Sequence, residues 1–181
     1  MSSLTVAPLV APLHTVRART VAGAVAIAAA VALPQVVHLA GGGPGLAQAL
    51  LPMYLPVMVV GLLAGPQVGL AVGLLAPLAS FGLTGMPALP LLPSIVVQLA
   101  VFGLVAGLVG RMRWHVGVKT LVILASGNLA RLGFVLVAGL VTQAAWASSP
   151  ALWWTALVVG LPGLAIQCVV VPLVAAWAAK R

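Results

Sequence analysis

Arg131 is the residue from which chemistry is argued most directly. It stands roughly a dozen residues inside an apolar run that opens at Lys119, about 18 Å in along a helix. A guanidinium at the middle of a membrane helix costs roughly 2.5–3.5 kcal/mol on insertion scales and faces a bundle interior with a partner. This chain has no Asp or Glu anywhere in its 181 residues. Its compensation must be a carbonyl, water, a lipid phosphate or an anionic ligand, unless the side chain snorkels to the interface. Asn128 lies one turn before Arg131, and Thr142, eleven residues on, falls close to the same face, which predicts a polar stripe. A planar guanidinium fork suits a carboxylate or phosphate, with Asn128 as a neighbouring hydrogen-bonding group.

Other chemistries find no residues. Without a carboxylate there is no acid–base pair and no Ser-His-Asp set, so an enzyme is not expected. His14, His38 and His115 stand far apart and lack metal-ligand spacing, so no metal or other cofactor is expected. Gly117-Val118-Lys119-Thr120 imitates part of a nucleotide-binding loop, but the glycine just before the lysine is missing and no strand could precede it. The single cysteine, Cys168, lies in an apolar run, can form no internal disulfide, and reads as a packing residue.

The elements that must position Arg131 follow from composition. With 64% hydrophobic residues, 4% charged and a mean hydropathy of +1.29, the chain carries more apolar surface than a soluble domain can bury. The expected fold is an all-α integral membrane protein, one membrane domain over residues 1–181, embedded in the lipid bilayer. At about 20 helical residues per crossing the length admits at most roughly six or seven spans. The net charge of +8 lacks the basic stripe and interleaved aromatics of a nucleic-acid surface; it suits cytoplasmic loops facing anionic lipid.

Residues 1–16 are an apolar lead-in that fits neither a signal peptide nor a span. Spans are expected at about 20–39, 51–64, 67–83, 94–110, 119–146 and 153–179. The apolar run from Leu50 to Leu83 would be about 50 Å long as one helix, and Gly65-Pro66 must break it. Gly69, Gly73 and Pro77 then predict close contacts and a bend in the third span. Thr84 to Pro93, with three prolines in ten residues, cannot be a regular helix. Six spans place Arg17 and Arg19, the loop from Arg111 to Lys119, and Lys180-Arg181 on one side, which predicts cytoplasmic N and C termini. Trp146, Trp153 and Trp154 then mark the outer interface and Trp114 and Trp177 the inner one.

The first span repeats alanine at four-residue spacing in two registers, Ala22, Ala26 and Ala30, and Ala24, Ala28 and Ala32. Small residues so spaced let another helix approach closely, either within the bundle or from a partner protein.

The run LPMYLPVMVVGLLAGPQVGLAVGLLAPLASFGLTGMP, followed by QLAVFGLVAGLV, resembles the substrate-binding S component of energy-coupling factor (ECF) vitamin transporters of prokaryotes. The resemblance covers Ala22 to Gly110 in its motifs and the remainder in topology. It implies a six-transmembrane-helix bundle in the prokaryotic plasma membrane, multi-pass, capturing a small water-soluble vitamin or related micronutrient outside the cell. It implies as partners a transmembrane coupling protein, onto which the A-x-x-x-A motifs of the first helix dock, and two ABC-type ATPases. It places Tyr54, Met86 and Gln98 near the outer half of the bundle as pocket residues, covered by loops at Gly41 to Gly45 and Thr84 to Pro93. Related sequences carry histidine where Tyr54 stands and glutamate where Gln98 stands, so substrate identity does not transfer. Two alternatives fit the same sequence, a small membrane assembly or scaffold subunit and a solitary transporter without ATPases.

Overall fold

The computed structural model describes residues 15–42, 49–50, 52–142, 154–155 and 158–178. Six helices of ten or more residues occur among them, with no strand: α1 (Val16–Val37, continued by a π-helical turn His38–Gly42), α2 (Tyr54–Ala64), α3 (Pro66–Thr84), α4 (Leu92–Gly110), α5 (Val116–Thr142) and α6 (Leu161–Ala178). Among the described residues, four stretches are long and apolar enough to cross a membrane: Val16–Gly41, Pro66–Thr84, Leu92–Gly110 and Val116–Val141. Tyr54–Ala64 and Leu161–Val174 are shorter apolar helices. The lead-in up to residue 14, Trp146, Trp153 and Lys180-Arg181 lie outside the described residues.

Local chemistry sets the boundaries. Thr15 Oγ1 accepts from the Ala18 N–H at 3.1 Å, and this cap starts α1 four residues ahead of the expected Thr20, drawing Arg17 and Arg19 into the helix. The expected break at Gly65-Pro66 is present: α2 ends at Ala64, Gly65 takes φ +96°, and Pro66 opens α3 where a missing N–H costs nothing. Gly85, at φ +71°, closes α3 in the left-handed conformation. His115 Nδ1 accepts from the Gly117 N–H at 3.2 Å, so α5 begins at Val116, three residues before the expected Lys119.

The bundle is built around α4, which packs on α2, α3 and α5, while α1 packs on α2 and α3, and α6 closes against α5 and α2. The tightest crossing joins α3 and α4. A Cβ on Gly69 would collide with the Gly103 carbonyl, a Cβ on Gly103 with the Gly69 carbonyl, and one on Gly73 with the Leu99 backbone. These backbones touch, so dispersion contact replaces the hydrophobic drive that lipid cannot supply. The expected contacts at Gly69 and Gly73 are therefore present, and Pro77 is buried beside them.

The two alanine registers of α1 separate. Ala26 and Ala30 are buried in the core and Ala22 packs against it, whereas Ala24, Ala28 and Ala32 are exposed. The first register thus packs within this chain's own bundle, fully at Ala26 and Ala30 and partly at Ala22. Cys168, expected to pack, lies on the exposed face of α6, because the buried stripe of that helix runs through Gly163, Gln167 and Val171.

Candidate functional site

Three helices bring four of the expected side chains into one hydrogen-bonded cluster. Tyr54 is the first residue of α2, Gln98 lies about two turns into α4, and Asn128 and Arg131 share a face near the middle of α5. Tyr54 Oη donates to Gln98 Oε1 at 2.9 Å, and Arg131 Nη1 donates to the same oxygen at 3.4 Å. Gln98 Nε2 donates to Asn128 Oδ1 at 3.2 Å, and Asn128 Nδ2 in turn donates to the Leu124 carbonyl at 2.8 Å. This closes the orientation of both amides: each oxygen accepts and each nitrogen donates. Gln98 is only 2% exposed, and an amide so placed is tolerable because both of its ends are satisfied.

Packing holds the phenol that reads Gln98. The Tyr54 ring lies 5.5 Å from the Phe102 ring at an interplanar angle of 55°, a tilted aromatic pair. Phe102 is fully buried, and its ring presses on Gly127, where an added Cβ would overlap it. Gly127 therefore sets the position of Phe102, and Phe102 that of Tyr54. The spacing of Arg131 and Asn128 pointed to this site, but nothing in the sequence linked Gly127 to Phe102, because that contact joins α5 to α4.

The charge of Arg131 is met incompletely. Its one hydrogen bond within the cluster is the long contact to a neutral amide oxygen, and Nε is buried with no partner. A guanidinium carries five donors and no acceptor, so an anion in reach could take a charge-assisted or bidentate pair from it. The side chain reaches toward Gln98 on α4, so its head is held within the bundle and does not snorkel away from it. Thr142 ends α5, eleven residues beyond Arg131, and its side chain lies outside the described ones.

Met86 stands apart. It lies in the loop after α3, 40% exposed, with its N–H donated to Thr84 Oγ1 at 3.3 Å. The cluster itself is nearer to this loop than to the Arg111 end of α4, about 9 Å against about 18 Å along the helix.

Among the described residues, three more buried polar groups lack partners: Gln35 Nε2, Lys119 Nζ, and both amide atoms of Gln167. A buried amide left unpaired costs roughly 2–7 kcal/mol depending on the reference state. Gln167 interrupts an apolar helix as Gln98 does, and that shared signal marks it in the sequence. No group of three or more metal-ligating side chains occurs among the described residues. The chain matches no protein-family model, and no curated protein or solved structure matches it.

Proposed function

We propose that this protein is the substrate-binding S component of an ECF-type importer, which captures a small water-soluble, anionic vitamin or related micronutrient outside a prokaryotic cell. The observation that carries the reading is the incompletely paired guanidinium of Arg131 inside a closed hydrogen-bonded cluster, in a chain that has no acidic side chain to neutralise it. An anionic ligand completes that pairing in a low-dielectric setting, where a charge-assisted hydrogen bond is strong. Tyr54, Gln98 and Asn128 orient the guanidinium, and the loop carrying Met86 lies on the entry side.

On this reading α2 and α6 complete six spans, both termini are cytoplasmic, and the cluster opens outward. The exposed register Ala24, Ala28 and Ala32 of α1 is the face onto which the transmembrane coupling protein docks, and two ABC-type ATPases supply the energy. The test is affinity purification of the tagged protein from its native membrane. The reading expects a coupling protein and two ATPases in stoichiometric amounts, together with a small retained anion. A protein that purifies alone and empties no anion on denaturation contradicts it.

A further inference from the structure

The most completely buried side-chain amide among the described residues is not in the Arg131 cluster. Gln167 of α6 has no exposed surface, and neither Oε1 nor Nε2 has a hydrogen-bond partner. A leucine would fill such a position without leaving a donor and an acceptor unsatisfied, so the amide is suited to a partner that is not part of this chain.

Its location follows from the packing of α6. Gly163, Gln167 and Val171 form the buried stripe of that helix, and Gly160 just before it is buried too. Gly163 is pressed against the carbonyls of Leu50 and Ala49, where an added Cβ would stand 2.6 and 2.8 Å away. In a six-span bundle α2 and α6 run in the same direction. Gln167, one turn beyond Gly163, shares the α6 face that meets Ala49 and Leu50, and α6 packs on α2, which opens at Tyr54 four residues after Leu50. Tyr54 holds Gln98, which holds Asn128 and Arg131, and α6 also packs on α5, the helix that carries the last two.

We propose that Gln167 is the second anchor of the Arg131 site, and that the ligand is an anion carrying an amide-type edge, a carbonyl beside an N–H. A primary amide offers one acceptor and two donors in one plane and pairs with such an edge through two parallel hydrogen bonds. Ureido, lactam and imide groups present it; simple alkyl and aryl carboxylates do not. Arg131 takes the anionic end and Gln167 reads the other. This assignment rests on the anion-binding reading above and adds the ligand's chemical class to it.

The test uses the full-length protein in detergent and two matched pairs of carboxylates: orotate against benzoate, and biotin, with its ureido ring, against lipoate. Affinities are measured by calorimetry for the wild type, Gln167→Leu, Gln167→Met and Arg131→Ala. At least one edge-bearing probe should bind the wild type tenfold or more tighter than its mate. Both Gln167 variants should lose that preference while keeping or raising the melting temperature, since each removes an unpaired amide; the Met variant serves if the Leu variant does not fold. Equal binding within both pairs, or a preference that survives in the Gln167 variants, overturns the assignment, and the anion reading stands if Arg131→Ala still abolishes binding. Binding of none of the four carboxylates to the wild type overturns both.

Discussion

Tyr54 Oη reaches Gln98 Oε1 at 2.9 Å, so the first residue of α2 fixes the rotamer of the one amide that touches both Asn128 and Arg131. Tyr54→Phe removes that bond and leaves the aromatic pair with Phe102. A single neutral hydrogen bond contributes about 0.5–1.5 kcal/mol, which predicts roughly a two- to tenfold loss of ligand affinity with little change in fold. Gln98→Leu strips Arg131 of its acceptor as well and should cost more, about 1.5–3 kcal/mol. Titration of both variants beside their melting temperatures checks the order; Tyr54→Phe being the more damaging would contradict it.

The α3–α4 crossing predicts a stability effect with no ligand involved. Gly103→Ala inserts a methyl where the Gly69 carbonyl already sits, and overpacking of this kind costs about 1–3 kcal/mol or more. Gly82→Ala is the control, since nothing lies within 4 Å of its added Cβ. Thermal unfolding in detergent should show a clear drop for the first and little change for the second.

Ala28 and Ala30 lie two residues apart on α1 yet face opposite ways, one exposed and one fully buried. Ala30→Trp should therefore unfold the bundle, whereas Ala28→Trp should leave ligand affinity intact and prevent co-purification of the coupling protein. Ala28→Trp that still assembles at normal yield would remove the docking role from this face.

Lys119 tests the cost of a buried charge. It is 1% exposed, in the first turn of α5, and Nζ has no partner. Replacing an unpaired buried charge by an apolar side chain of similar length is neutral or stabilising, so Lys119→Met should keep or raise the melting temperature. A drop of several degrees would reveal a partner for the ammonium.

Much of the architecture was legible because punctuation in an apolar chain is unambiguous. Gly65-Pro66 broke the long run where expected, and the prolines from Pro87 to Pro93 kept the loop before α4 irregular. The start of α1 was missed because one hydroxyl, Thr15 Oγ1, caps it, and a threonine after fourteen residues of apolar lead-in carries no periodic signal. Spacing identified both alanine registers but not which faces inward, since that depends on the neighbours α2 and α3. The same limit misplaced Cys168. Of the site, Arg131 and Asn128 followed from charge and spacing, and Tyr54 and Gln98 from resemblance. Gln167 carries a signal as an amide in an apolar run, but its burial, like the Gly127–Phe102 contact, depends on helix pairing, which no single helix encodes.

The central claim is that Arg131 binds an anion, and the most direct measurement is calorimetric titration of wild type, Arg131→Lys and Arg131→Ala with a panel of small vitamins of each charge. The account predicts that only anions bind the wild type tightly. Lysine should keep the charge but lose the bidentate fork and weaken binding about tenfold or more, and alanine should abolish it. Tight binding of a neutral or cationic compound, or unchanged affinity in Arg131→Ala, would contradict the claim.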